Sequence, residues 1–132
     1  MYLADTSAWI DFTRPKPGPI GLRLKKEIQA GVPVYITGMV FQEVLQGARD
    51  ETFLRRHEDW LLTQPFVHPP DPVAMHAAAA RLYARCRWQG VTIRSANDCF
   101  IAQMAIEHRL RLLHDDRDFE RIASIEPRLK LA

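Results

Sequence analysis

Apolar positions along this chain form short runs separated by longer stripes at helical spacing. The short runs, which are typical of strands, lie at 2–4, 32–36 and 111–114, with two further candidates at 66–67 and 129–131. The helical stripes lie at 6–13, 20–30, 37–48, 50–63, 73–88, 96–108 and 119–123. Strands that alternate with helices predict an α/β fold, in which a central, mainly parallel sheet is covered by helices on both faces as a three-layer α/β/α sandwich.

The size of the chain fits one domain, residues 1–132. With 132 residues and 47% hydrophobic content, it can bury one sizeable core. No apolar run approaches the ~20 residues of a membrane span, and Met1 is followed almost at once by Asp5, so we expect a cytoplasmic protein. Cys86 and Cys99 match no metal-ligand spacing and are expected to be reduced, buried thiols.

Four carboxylates occur where this topology gathers side chains at one edge of the sheet. Asp5 directly follows the first predicted strand, and Asp116 follows the strand at 111–114. Glu43 and Asp98 fall in the early turns of predicted helices, which can point toward the same end. Because ligands of parallel sheets bind beyond the carboxyl ends of the strands, the four acids are able to converge there.

Converging carboxylates need a cation or bound protons, since like charges at close range repel by several kcal/mol at intermediate dielectric. Oxygen ligands favour Mg²⁺ or Mn²⁺ over metals that prefer histidine or thiolate. We therefore predict a site for one or two such ions, with Asp5, Asp98 and Asp116 as direct or water-bridged ligands. Glu43 is predicted to be a further ligand or to orient water.

Several of these acids also have a purely structural interpretation. Asp5 could cap the helix that follows it, and Asp98 could form a salt bridge with Arg94. Within the acidic segment 115–118, Asp118 is predicted to cap the following helix, which leaves Asp116 free to be a ligand. The metal hypothesis gains weight because the acids occur together.

Four segments of the chain resemble the PIN-domain ribonucleases, and among them most closely the VapC-type toxins of bacterial toxin–antitoxin pairs. The segments are Leu-Ala-Asp-Thr-Ser at 3–7, Glu43 inside a helix opened by Thr37, Ile-Arg-Ser-Ala-Asn-Asp at 93–98, and Leu-Leu-His-Asp-Asp-Arg-Asp-Phe at 112–119. The resemblance implies a small α/β/α sandwich, RNA cleavage that depends on Mg²⁺ or Mn²⁺, homodimerisation, and inhibition by a VapB-type antitoxin. The acids of the family pattern match Asp5, Glu43, Asp98 and Asp116, and its hydroxyl matches Thr6.

Accessory roles follow for a few neighbouring residues. His114 stands where the family commonly has Thr or Ser, and could orient water or contact phosphate. Arg94 could hold a phosphate bidentately or pair with the acids. The chain has 18 basic and 16 acidic residues, so four acids facing a metal leave 18 basic against 12 acidic groups, which makes a polyanionic substrate plausible.

Two other functions remain open from the residues alone. One is a non-catalytic PIN-like module that binds RNA or a partner, and the other is a metal-dependent phosphatase for small esters. No GxGxxG, GxxxxGK or GxSxG segment supports a nucleotide-cofactor or serine-hydrolase function. The apolar stripe of Phe53, Trp60 and Leu61 is expected to pack on its own domain or to line a groove for the antitoxin's helix.

Overall fold

The computed structural model describes residues 1–132 and has a three-stranded parallel sheet at its centre. The strands are β1 (Tyr2–Ala4), β2 (Val34–Tyr35) and β3 (Arg111–Leu113), in the order β2-β1-β3. Leu3 in the central strand is paired with Tyr35 on one side and Leu112 on the other. The predicted parallel sheet is thus confirmed.

The two outer strand candidates each contribute a single bridge. Ile36 pairs in parallel with Phe66 beyond β2, and Leu112 pairs in parallel with Leu131 beyond β3. The segments at 66–67 and 129–131 therefore extend the sheet by one residue pair at each edge.

Seven helices cover the sheet. They are α1 (Thr6–Thr13), α2 (Pro19–Gln29), α3 (Gly38–Gln46), α4 (Glu51–Leu61), α5 (Pro72–Trp88), α6 (Ala96–Glu107) and α7 (Arg117–Ile125). Helices α1 to α4 pack on one another, and α5 to α7 form a second group. The neighbouring β1 residues Leu3 and Ala4 face opposite sides of the sheet and are both 0% exposed, so both faces are covered. No helix combines the length and the apolar character needed to cross a membrane.

The aromatic stripe of α4 packs mainly inside its own domain. Leu61 is fully buried, and the Trp60 ring stacks on Phe12 at a centroid distance of 4.9 Å and meets Trp9 edge-on at 5.7 Å. Phe53 is half-buried and stacks on His57. The prediction that this stripe packs on its own domain is therefore confirmed for Trp60 and Leu61.

A buried carboxylate joins α1 to α2 across the proline-rich loop. Asp11 is 3% exposed and accepts hydrogen bonds from the amides of Gly18 at 3.0 Å and Gly21 at 2.7 Å. These two amide bonds hold the pKa of Asp11 below its ordinary value. A Cβ at Gly21 would lie 2.8 Å from the backbone carbon of Asp11, so the two helices approach too closely for any other residue. No local pattern in the sequence indicated this role for Asp11.

Both cysteines are buried in the core as free thiols, as expected. Burial raises the pKa of the Cys99 thiol to about 12, so it stays protonated at physiological pH.

Candidate active site

The four predicted acids lie in one open cleft of about 390 Å³, beyond the carboxyl ends of β1 and β3. Asp5 follows β1 directly, and Asp116 lies in the short turn between β3 and α7. Glu43 and Asp98 enter the cleft from α3 and α6. Fold topology therefore brings together residues that are far apart in the chain, while their roles as ligands stay a prediction.

Asp5 caps α1 and also faces the cleft. Its Oδ2 atom accepts from the Ser7 amide at 3.0 Å and from the Ser7 hydroxyl at 2.7 Å, whereas Oδ1 accepts no hydrogen bond. Burial raises the pKa of Asp5 despite these bonds, and the charge of Asp116 adds to the rise. The capping and ligand interpretations are compatible, because the cap uses one oxygen only.

Glu43 and Thr6 bring polar atoms into the cleft that have no partner. Oε1 of Glu43 and Oγ1 of Thr6 are both buried without a hydrogen bond. Burial and the nearby charge of Asp5 raise the pKa of Glu43. The Thr6 hydroxyl lies near Glu43 and opposes this rise, but it does not form a hydrogen bond with the carboxylate. Buried polar atoms without partners are rare, and here they indicate a place for an ion or water.

Asp98 is the most strongly perturbed acid of the cleft. Burial, followed by the charges of Asp5, Asp116 and Asp118, raises its pKa from 3.8 to about 7. Its carboxylate accepts no hydrogen bond from the protein, and the alternative salt bridge with Arg94 is not formed. The ionised form of Asp98 is therefore disfavoured first by burial and then by the neighbouring carboxylates.

The prediction that Asp118 caps the last helix is wrong. Asp116 is the N-cap of α7, and its Oδ1 accepts from the Asp118 amide at 2.9 Å. Asp118 is 2% exposed and accepts from the amide and Nε of Arg94, each at 3.1 Å, and from Nη1 of Arg121 at 3.2 Å. The reason is geometric: the helix begins at Arg117, two residues before Phe119, so the capping position falls on Asp116.

Arg94 pairs with acids of the cleft, one of the two roles considered for it. Besides its bonds to Asp118, its Nη2 lies 3.1 Å from Oδ1 of Asp116. Burial alone would raise the pKa of Asp118, but the hydrogen bonds from Arg94 and Arg121 outweigh it, so this pKa is lowered. Asp118 is thus an ionised anchor for the arginines.

A compact oxygen set exists within the cleft. Asp98, Asp116 and Asp118 can each offer one carboxylate oxygen, and these oxygens lie within 4.8 Å of one another. Both oxygens of Asp118 already accept from arginines, whereas those of Asp98 are free. Asp98 and Asp116 are therefore better placed than Asp118 to hold a cation.

His114 does not line the cleft. Its Nδ1 accepts a hydrogen bond from the backbone amide of Asp116 at 3.2 Å, and its ring centroid lies 5.2 Å from that of Phe119. This arrangement makes it a support for the turn that carries Asp116, and a contact with water or phosphate stays a prediction.

Ser7 was missed by the sequence reasoning. Its hydroxyl donates to Asp5 and accepts from the Asp115 amide at 2.9 Å, so it ties the turn after β1 to the turn after β3. The available signal was its position two residues after a capping aspartate, where a hydroxyl can reach the cap.

The protein is a three-layer α/β/α domain with a parallel sheet. A cleft of carboxylates lies at the carboxyl ends of its strands, and together these features define its structural class. The family model described as the PIN domain matches residues 2–125. The chain belongs to the PIN domain family.

Individual relatives agree with this assignment. The chain is 32% identical over 126 residues to "VapC ribonuclease Mb1587" of Mycobacterium bovis and to "Ribonuclease VapC11" of Mycobacterium tuberculosis, covering 95% of this chain and 93% of each relative. Among solved structures, VapBC2 from Rickettsia felis, bound to a promoter DNA fragment, superposes with a TM-score of 0.75 and 20% identity, covering 99% of this chain and 96% of that one. FitAcB from Neisseria gonorrhoeae gives a TM-score of 0.72 and 20% identity over the same shares. These structures support the fold.

Proposed function

We propose that this protein is an endoribonuclease and the toxin of a toxin–antitoxin pair. The observation that carries the proposal is the single cleft that holds Asp5, Glu43, Asp98 and Asp116. The relatives at 32% identity are named as VapC ribonucleases, and they span nearly the same length as this chain. The proposed reaction is hydrolysis of phosphodiester bonds in cellular RNA, and the proposed compartment is the cytoplasm.

The cleft fits a hard divalent cation, Mg²⁺ or Mn²⁺. Its lining offers carboxylate oxygens and no thiol or imidazole, and Oε1 of Glu43 is a buried acceptor without a partner. Asp5, Asp98 and Asp116 would hold the ion, with Glu43 as a further ligand or water-orienting group. When bound, the ion would offset the carboxylate charge and favour attack of water on the phosphodiester.

The surrounding residues prepare the cleft for this reaction. Ser7 fixes Oδ2 of Asp5 and thereby aims the free Oδ1 into the cleft. Arg94 neutralises part of the negative charge at the rim, through Asp116 and Asp118, so that a phosphate can approach. Glu43 can accept a proton from a water oriented by the neighbouring Thr6 hydroxyl.

The expected partners are a VapB-type antitoxin and a second copy of the chain. Solved structures that share this fold include VapBC and FitAB complexes, for example VapBC-1 from nontypeable Haemophilus influenzae. A candidate surface for the antitoxin is the concavity of about 310 Å³ lined by Phe12, Thr13, Arg56, His57 and Trp60. Homodimerisation and larger complexes with antitoxin are part of the proposal.

The test is cleavage of RNA by purified protein with Mg²⁺, with Mn²⁺ and with EDTA. We expect cleavage only with the metals, and its loss in Asp5→Asn, Asp98→Asn and Asp116→Asn. Asp115→Asn is the matched control, because Asp115 is an exposed neighbour whose side chain makes no hydrogen bond. Activity that survives in all three cleft variants would refute the assignment.

The same preparation separates the two alternative functions. Hydrolysis of nucleoside monophosphates without cleavage of RNA would indicate a phosphatase. RNA binding without any metal-dependent cleavage would indicate a non-catalytic module.

A further inference from the structure

A second groove lies at the opposite end of the sheet from the acidic cleft. It has a volume of about 650 Å³ and is formed by the end of α6, the start of β3 and the segment after α7. Asp116 follows the carboxyl end of β3, whereas Arg111 in this groove begins the same strand. A three-residue strand is about 10 Å long, so a long ligand can reach both ends.

The groove is strongly basic. Four exposed basic side chains line it, namely Arg109, Arg111, Arg128 and Lys130. Glu107 is the only acidic residue in its lining. The groove therefore has an excess of positive charge, while the chain as a whole is nearly balanced.

Most of this positive charge has no carboxylate partner. Arg128 pairs with the buried Glu126, but Arg111 and Lys130 donate only to backbone carbonyls, at 3.2 Å and 2.9 Å. Arg109 makes no side-chain hydrogen bond. Three cations thus remain available to an anionic ligand.

The backbone of Arg109 supports a role for its side chain. Helices α2, α5 and α6 end with the same hydrogen-bond pattern. One residue lies in the left-handed region, and the amide of the next residue donates to the carbonyl five positions before it, at 2.9–3.0 Å. Glycine occupies the left-handed position after α2 (Gly31, φ 75°) and α5 (Gly90, φ 81°), but after α6 it is Arg109 (φ 54°). An arginine is disfavoured there relative to glycine, and its exposed side chain does not pack in the core. A conformational penalty without a packing gain points to function.

We propose that this basic groove binds the phosphodiester backbone of the RNA substrate outside the segment that is cleaved. The inference rests on the proposed ribonuclease function, which already brings a polyanion to this molecule. Unpaired arginine and lysine side chains along an open groove suit a phosphate backbone, because such contacts need charge rather than a shaped pocket.

The test compares two double variants that each remove two exposed positive charges. Arg109→Gly with Lys130→Ala changes the groove. Arg81→Ala with Arg87→Ala is the control on α5, because these two arginines are exposed and form no ion pair. Binding of a single-stranded RNA of about 30 nucleotides is measured in EDTA by fluorescence anisotropy over a range of salt concentrations. Cleavage of a dinucleotide RNA, whose single phosphate occupies the cleft and leaves none for the groove, is measured with Mn²⁺.

We expect the groove variant to bind the long RNA about tenfold more weakly, with the slope of log K against log salt reduced by about 1.4, which corresponds to two lost phosphate contacts. The control should keep the wild-type slope. Cleavage of the short RNA should be unchanged in both. The Arg109→Gly change alone should raise Tm, so weaker binding cannot be attributed to unfolding.

Two results would overturn the proposal: an unchanged Kd and slope in the groove variant, or an equal loss in the control variant. If the short RNA is cleaved and the groove variant binds the long RNA as tightly as wild type does, only the groove proposal fails. If no RNA is cleaved but binding still depends on the groove, the ribonuclease function fails and the groove stands as an RNA site.

Discussion

Replacing Asp98 with asparagine removes one negative charge from the most crowded position of the acidic cleft. Without a bound cation, burial and the charges of the neighbouring acids raise the pKa of Asp98 to about 7. The folded protein then holds this proton more tightly than the unfolded chain does. The contribution of Asp98 to stability is therefore greatest below pH 4 and falls as the pH rises toward 7.

The size of the effect follows from the change in pKa. From 3.8 to about 7, at about 1.4 kcal/mol per pKa unit, the penalty for ionised Asp98 is about 4 kcal/mol. Asp98 is only partly buried, so solvent screening reduces this to about 2 kcal/mol. About 1.4 kcal/mol of this penalty is already present at pH 5, so between pH 5 and pH 8 the stability of Asp98→Asn relative to wild type should rise by about 0.6 kcal/mol.

The assay is urea unfolding of wild type and Asp98→Asn in EDTA, at pH 5 and at pH 8 and constant ionic strength. Asp115→Asn removes a similar charge just outside the cleft and should show no such pH dependence. Repeating the measurement with Mn²⁺ at pH 8 should stabilise wild type more than Asp98→Asn, because the variant lacks one ligand.

A relative stability of Asp98→Asn that does not change with pH would refute the reasoning. It would mean that burial and the neighbouring charges together do not raise the pKa of Asp98 in the folded protein. Equal stabilisation of both proteins by Mn²⁺ would separately refute Asp98 as a ligand.

Three further predictions concern stability and can be checked by urea or thermal unfolding. Asp118→Ala should lower the unfolding free energy by about 1–2 kcal/mol, because it removes the buried anion to which the largely exposed Arg94 and Arg121 both donate. Since the pKa of Asp118 is lowered, its contribution should be complete above pH 4 and lost only at lower pH. Gly21→Ala should lower the unfolding free energy by about 1–3 kcal/mol, because the new Cβ would clash with α1. Gly38→Ala should not lower it, because a Cβ there meets nothing within 4 Å. Equal effects of the two changes would contradict the close packing of α1 and α2. Gly90→Ala should lower the unfolding free energy by about 1 kcal/mol, and Arg109→Gly should raise it by about as much. A lower unfolding free energy for Arg109→Gly would show that the backbone of Arg109 is not strained.

Much of the fold could be predicted from local pattern. Short apolar runs gave all three strands, and helical spacing gave the seven helices to within a few residues, because each pattern reflects which side of one element is buried. The positions of Asp5 and Asp116 directly after strands placed them at the carboxyl edge of the sheet, since parallel strands share that edge.

The sequence by itself thus determined the elements, their order and which acids could meet. Only the tertiary structure decided which atoms pair. It showed that Asp116 caps α7 and that Asp118 is buried between Arg94 and Arg121. Such pairings depend on where a helix begins and on contacts between residues more than 20 positions apart, which no local pattern encodes. The strongly raised pKa of Asp98 is likewise a property of the assembled cleft, because it requires burial together with charges contributed by other elements.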